Sequence, residues 1–194
     1  MEPDKQRLGV ALCGSFCTFS QVLPQIKGLC ERYDVIPIVS EAVYATDTRF
    51  GKARDHIRAL EEMTGRPVLH TIAETEPIGP KKMLDALLVA PCTGNTLAKI
   101  AAGIADTSVT LAVKAHLRNE RPVILAPSTN DALAAAAKNI GALLARRHFY
   151  VVPFGQDEPR GKPRSAVADM RRIPQAVAAA LRGEQLQPVL IGAE

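Results

Sequence analysis

Short runs of apolar residues alternate along this chain with longer stretches in which apolar positions recur every three or four residues. The runs at 7–13, 34–40, 67–72, 84–91, 121–126 and 148–153 have the length and near-continuous hydrophobicity of strands covered on both faces. Between them Val22, Ile26, Leu29 and Tyr33 repeat at helical spacing, as do Ala53, Ile57, Leu60 and Thr64, then Leu97, Ile100, Ala101 and Ile104, and then Val109, Ala112, Val113 and Leu117. An alanine-rich stretch at 131–147 predicts another helix. Val167, Met170, Ile173, Val177 and Leu181 predict a last one, opened by Ser165 and kinked by Pro174. Strands alternating with helices predict an α/β fold: a single doubly wound, Rossmann-like or flavodoxin-like parallel sheet with helices on both faces, in one domain over 1–194.

The polar residues that interrupt this pattern fall at the ends of the strands. Thr18 and Gln21 are spaced as a capping box, although Pro24 is easier to place in a helix beginning nearer Ser20. A loop follows Ser40 as far as Phe50, Gly65 ends the next helix, and Asn119 ends another. Residues 74–82 form a loop, Pro91 stops the central strand, and Ser128 with Asp131 has capping-box spacing, Asn130 being the alternative cap. The tail at 185–191 is apolar enough to dock on the fold or on a neighbouring copy.

Four strand ends therefore converge on one rim, at Gly14-Ser15, Ser40, Thr93 to Thr96 and Ser128 to Asn130. Ligands of open α/β sheets bind on that rim. Gly14 and Ser15 face a helix N-terminus, which attracts a phosphate through its free N–H groups and its dipole. The full dinucleotide fingerprint is missing, so a mononucleotide fits better than NAD(P). Gly94 permits a tight backbone, and Thr93, Asn95 and Thr96 offer small donors and acceptors beside the second helix start. Cations stand in the polar segments above the rim: Arg49 in one loop, and Arg160, Lys162 and Arg164 in another. Glu74, Glu76, His56 and His148 are the ionisable candidates for a general base, and each reads as a solvated or structural group.

Composition narrows the class of partner. With 194 residues, 47% hydrophobic and 23% charged, the chain suits an ordinary soluble globule. Its apolar runs fall well short of the roughly 20 residues of a membrane span, and Met-Glu-Pro-Asp-Lys lacks the pattern of a signal peptide, so a cytoplasmic protein is expected. The formal charge of +4 and an aromatic content of 4% argue against a nucleic-acid surface. Cys13, Cys30 and Cys92 read as small core residues and Cys17 as a loop residue; their spacing suggests neither a disulfide frame nor a metal site.

Gly14-Ser15, Pro91-Cys-Thr-Gly-Asn-Thr-Leu-Ala-Lys-Ile-Ala-Ala-Gly-Ile-Ala-Asp106 and Ala126-Pro-Ser-Thr-Asn130 resemble the homo-oligomeric flavin-containing cysteine decarboxylase superfamily, which includes phosphopantothenoylcysteine decarboxylase and the flavin prenyltransferases. The resemblance implies FMN, or only a phosphate or related nucleotide, at the strand carboxyl ends, commonly between the protomers of a trimer or trimer-based dodecamer. It places Gly14, Ser15 and Phe16 along the phosphate and ribityl chain, with Ser40, Thr93, Gly94, Asn95 and Thr96 also on the cofactor. Further blocks, Pro37-Ile-Val-Ser40, Thr46-Asp-Thr-Arg-Phe-Gly51, Pro77-Ile-Gly-Pro-Lys81, Ser128-Thr-Asn-Asp-Ala-Leu133, Val152-Pro-Phe-Gly-Gln-Asp157 and Gln185-Leu-Gln-Pro-Val-Leu190, are similar to one branch of it. In that branch a flavoprotein-fold polypeptide serves spore formation together with a partner polypeptide of dinucleotide fold, on which NADP is expected. The pair makes pyridine-2,6-dicarboxylate from a hydroxylated tetrahydro precursor. A dicarboxylate needs two separated cationic poles, so Arg49 with Arg160, Lys162 and Arg164 is expected to recognise it, unless the 160–164 segment is instead a basic loop that docks on the partner; Ser128, Thr129 and Asn130 are candidate contacts that orient it.

Two departures bear on chemistry. The decarboxylases carry a histidine where Glu76 to Ile78 stand here, and their P-x-M-N signature reads Pro127-Ser-Thr-Asn130. Decarboxylation of a cysteine is therefore not expected, and the prenyltransferases' phosphate-binding arginine is missing as well. Three classes stay open on sequence: one component of an oxidoreductase for a cyclic dicarboxylate, a flavoenzyme of the superfamily acting on another acid, and a non-catalytic scaffold for the dinucleotide-fold partner.

Overall fold

A computed structural model describes residues 5–192. The opening stretch from Met1, read above for a signal peptide, lies mostly outside that range. Five of the six apolar runs form parallel strands: β1 (Arg7–Leu12), β2 (Asp34–Val39), β3 (Ala86–Cys92), β4 (Val123–Thr129) and β5 (Phe149–Val151). They lie in the order β2-β1-β3-β4, with β5 beside β4. Every residue of β3 is buried, as expected of a central strand covered on both faces.

The helices that cover the sheet are α1 (Phe19–Arg32), α2 (Glu41–Ala45), α3 (Ala53–Thr64), α4 (Ile72–Thr75), α5 (Gly94–Ala102), α6 (Ser108–Leu117), α7 (Ala137–Leu144) and α8 (Ile173–Leu181). Helix α1 packs against α3 and α8, whereas α5 packs against α6 and α7. Val22, Ile26 and Leu29 are buried as their spacing predicts. On α3 Ala53, His56 and Leu60 are buried and Ile57 packs half-buried against the core, so a histidine joins the expected inner face. The sheet is the doubly wound parallel type the pattern predicts.

Where structure and expectation part, a local competitor is visible. The run at 67–72 is no strand: only Leu69 bridges to Ile38, because Thr71 and Glu74 form a capping box that turns the chain into α4. Pro91 does not stop β3, which continues to Cys92 after a register shift; the Pro91 carbonyl still accepts from the Cys13 N–H. The Thr18–Gln21 capping box does not form either. Thr18 donates its hydroxyl to the Ser15 carbonyl, a 3-10 turn at Phe16–Thr18 leads into α1, and Pro24 lies inside the helix. The loop after Ser40 begins as α2, with Ser40 as its cap. Residues 74–82 likewise contain the end of α4 and a 3-10 turn at Glu76–Ile78.

Helix α5 ends earlier than its periodicity suggests, since Gly103 adopts φ +74 as its C-terminal cap and leaves Ile104 exposed. The helix predicted from Asp131 starts only at Ala137. Strand β4 runs on to Thr129, and the Leu133 N–H is taken by the Arg164 carbonyl, so 130–136 form turns and Ser128, Asn130 and Asp131 cap no helix. The last helix is also shortened. Ala166–Ala168 form β7, antiparallel to the end of β4 and to β6 (Phe154–Gly155), so Val167 lies in a strand and Pro174 in the first turn of α8, where it introduces no kink. The sheet is thus parallel except for two short strands at its rim.

The tail docks on its own chain. Gln185 exchanges hydrogen bonds of 2.8 Å with both backbone groups of Val151, and Leu190 bridges to Phe154. Gly155 is required there, because a Cβ would stand 2.4 Å from the Ile191 carbonyl oxygen. Cys13 and Cys92 are buried, Cys30 is half-buried and Cys17 is exposed; all four are free thiols. Among the described residues no helix is long and apolar enough to cross a membrane, and no cluster of His, Cys, Asp or Glu could hold a metal ion.

Candidate functional site

The carboxyl ends of β1, β3 and β4 open into a cavity of about 480 Å³, within the size range of small-molecule sites. It lies where β1 is flanked by β2 on one side and β3 on the other, the point at which the strand order reverses. Its floor comes from three turns. After β1, Gly14 to Cys17 line it; after β3, Thr93 and Gly94; and from β4 onward, Ser128, Thr129, Asn130 and Asp131.

Short polar bonds hold these turns in register. Ser15 and Ser128 share a hydroxyl hydrogen bond of 2.7 Å across the floor, tying the β1 turn to β4. Thr93 caps α5 by accepting from the Thr96 N–H at 3.2 Å, which leaves the first N–H groups of that helix without an intrahelical acceptor. Thr129 donates its hydroxyl to Asp131, and a Cβ at Gly94 would stand 2.7 Å from Thr129 Oγ1 and 2.8 Å from Asp131 Oδ1. Glycine at 94 is therefore a matter of close approach between α5 and the β4 turn, not of backbone conformation.

Two cations overhang the floor. Arg49 and Phe50 form the tip of a tight turn closed by a bridge between Thr48 and Gly51, and the Arg49 guanidinium lies 4.8 Å from the Phe50 ring centre. The turn is seated on His56: Gly51 has φ +142, and a Cβ there would be 2.7 Å from His56 Nε2. His56 in turn packs edge-on against Phe19, 4.9 Å between ring centres, next to Phe16 of the cavity wall. Lys162 comes from the loop between β6 and β7 with Asp157. Its ammonium is 3.3 Å from Glu158 and 3.5 Å from Asp157, and these carboxylates hold its pKa above the usual lysine value.

Of the residues expected at the site, Gly14, Ser15, Phe16, Arg49, Thr93, Gly94, Ser128, Thr129 and Asn130 line the cavity together. Three others stand apart from it. Ser40 spends its hydroxyl on capping α2, Asn95 is exposed on the first turn of α5, and Thr96 is buried, donating to Cys13 Sγ at 3.3 Å. Arg160 and Arg164 also lie outside the lining. Sequence reasoning missed Cys17, Thr48, Phe50, Asp131, Asp157 and Val167 as cavity residues; a polar residue directly after a strand end was the available signal for Asp131.

The ionisable candidates separate clearly. Glu74 accepts from the backbone of His70 and Thr71, which holds its carboxyl below the ordinary range, and His70 stacks on Tyr44 at 3.7 Å. Burial pushes the Cys13 thiol up to about 11, against the opposing effect of the Thr96 hydroxyl, and burial also raises the Cys92 thiol well above its ordinary value. Neither buried thiol is a thiolate at neutral pH. The cavity offers hydroxyls, helix N–H groups, two cations and two aromatic rings, with the carboxylates of Asp131 and Asp157 among them, and its donors fit a phosphorylated mononucleotide with a flat ring.

The Flavoprotein family model matches residues 1–179 of the chain. The B subunit of dipicolinate synthase from Bacillus subtilis (strain 168) is 43% identical over 187 residues, which cover 96% of this chain and 94% of that one. The crystal structure of the same dipicolinate synthase component from Bacillus halodurans C superposes with a TM-score of 0.89 at 43% identity, covering 99% of each chain. The FMN-dependent cysteine decarboxylase SpaF shares the fold at a TM-score of 0.64 and 23% identity, over 91% of this chain and 95% of that one.

Proposed function

The chain belongs to the Flavoprotein family, and from that premise we propose that it is the flavoprotein-fold component of a dipicolinate synthase, acting in spore formation with the dinucleotide-fold component of the same enzyme. The reaction is the conversion of a hydroxy-tetrahydrodipicolinate to pyridine-2,6-dicarboxylate. End-to-end similarity to a relative of that name supports the reading. The observation that carries it is Arg49, a guanidinium with no carboxylate partner among the described residues, standing in one cavity with Lys162 and the hydroxyls of Ser15, Ser128 and Thr129, since a dicarboxylate needs cationic groups to hold it and polar groups to orient its ring.

FMN would lie with its phosphate and ribityl chain along Gly14, Ser15 and Phe16, and Thr93 and Gly94 would also touch the cofactor. When bound, the flavin supplies an acceptor for the hydride that a ring must lose to become aromatic. The chain's own residues would do the rest. Arg49 receives one substrate carboxylate in a forked pair, Lys162 attracts the other as a point charge, and Ser128, Thr129 and Asn130 orient the ring. NADP is expected on the dinucleotide-fold component, and a homo-oligomer of this chain, a trimer or trimer-based dodecamer, completes the assembly.

The test is direct. The purified protein should absorb at flavin wavelengths, and with the dinucleotide-fold component and NADP it should form dipicolinate. Gly94→Val, which pushes Thr129 and Asp131 into the cavity, should lose the flavin while keeping its circular dichroism. Normal flavin affinity in a folded Gly94→Val variant would sink the site; no dipicolinate from the wild-type pair would sink the function.

A further inference from the structure

Conversion of a hydroxylated, partly reduced ring to an aromatic one requires loss of water as well as loss of hydride, and the first of these needs a proton acceptor but no oxidant. Two carboxylates line the cavity. Asp157 is engaged by Lys162 at 3.5 Å, whereas Asp131 has no cationic partner among the described residues. Asp131 Oδ1 accepts the Thr129 hydroxyl, and Oδ2 has no donor among those residues. Thr129 is itself fixed, because it ends β4 and pairs with Ala166 of β7. The glycine at 94 is what lets this carboxylate stand against the start of α5. None of the other candidate bases lines the cavity: Glu74 is engaged in a capping box, His56 packs beneath the Arg49 turn against two phenylalanines, Cys13 and Cys92 are buried neutral thiols, and Glu76 and His148 lie outside the lining.

We propose that Asp131 is a catalytic residue that carries the proton in a dehydration of the ring. The proposal rests on the reading of the cavity as a site for a hydroxylated cyclic dicarboxylate. Oδ2 of Asp131 takes the proton from the ring carbon beside the carbinol carbon, and the C–H electron pair becomes the new C=C bond. The C–O bond breaks, and the departing hydroxide leaves as water with the proton that Asp131 returns. The carboxylate is regenerated and nothing is oxidised. The product is a dihydro ring that must still lose two electrons, as a hydride, to become aromatic, so the reaction class that must consume it is a hydride-removing oxidation.

The variant D131N keeps an acceptor for the Thr129 hydroxyl and the volume of the side chain, so it separates proton transfer from support of the turn. In the reconstituted two-component enzyme, D131N should retain assembly and flavin, hold KM within about threefold, and lose roughly 100-fold or more in kcat. Two further readouts respond to the proton and not to structure. In heavy water the wild-type chain should exchange deuterium into the ring carbon and D131N should not, and added formate should restore turnover to D131G. An active wild type with a D131N variant within about threefold of it in kcat, or with equal deuterium exchange, overturns this inference alone. A wild-type complex that forms no dipicolinate overturns the functional reading and this inference with it.

Discussion

Arg49 and Lys162 carry the same charge over the same cavity, yet their surroundings make them unequal. Lys162 already has two carboxylates within 3.5 Å, whereas Arg49 has only the Phe50 ring among the described residues. A guanidinium without a carboxylate partner, held on a turn that Gly51 and His56 fix, is free to fork onto an incoming anion. Arg49→Ala should therefore keep flavin and assembly with the dinucleotide-fold component but raise the half-saturating substrate concentration roughly 10- to 100-fold, the worth of a charge-assisted pair. Initial rates across substrate concentration in the reconstituted enzyme measure this. An unchanged substrate dependence would refute the role. The sequence exposed Arg49 as a lone cation in a polar loop; that it lines one cavity with Lys162 depends on bringing together segments distant in the chain.

Among the elements, the amino ends of β3 and β4 are tied to α6 by a polar network the strand pattern does not reveal. Asp85 pairs with Arg121 at 3.0 Å and with Arg7 at 3.6 Å, Arg121 also donates to the Leu84 carbonyl, and Asn119 donates to the Gly79 carbonyl. His116 is buried beside this network with Nε2 3.1 Å from the Pro122 carbonyl, and burial above all lowers its pKa from the usual 6.5 to about 4. The folded state therefore disfavours the charged imidazole. Its contribution to stability is complete above pH 6.5, is lost as pH falls from 6.5 towards 4, and amounts to about 3 kcal/mol over that window. His116→Gln should flatten that part of the profile. Urea midpoints of both proteins at pH 7 and pH 5 give the comparison, and parallel profiles would show that His116 does not contribute.

The whole molecule leaves apolar side chains in water after its own tail has docked. Ile104, Leu133 and Leu144 are between 38% and 53% exposed, on or beside the helices α5 and α7 that pack together. Burying such side chains against another copy is favourable, and a closed symmetric assembly provides the surface. Light scattering of the purified, flavin-loaded protein at micromolar concentration should give a trimer or a multiple of it. A strictly monomeric mass would count decisively against the assembly.

Local periodicity and strand-end chemistry were enough to place five of the strands, the buried face of α1, the parallel doubly wound architecture, and the gathering of Gly14, Thr93 and Ser128 on one rim. These features are legible in the chain because side-chain spacing reports which face is buried, and parallel strands put their carboxyl ends on one side. Competition between distant segments settled the rest. The Arg164 carbonyl takes the Leu133 N–H, β7 pairs with the end of β4, and Gln185 satisfies Val151. An expected helix start thereby becomes a turn, part of an expected helix becomes a strand, and the tail seals the edge. The pairing of β7 with the end of β4 also brings Val167 beside Ser128 and Thr129 in the cavity wall. A backbone group pairs with whichever partner the whole fold brings nearest, and that choice is invisible in any local window of sequence.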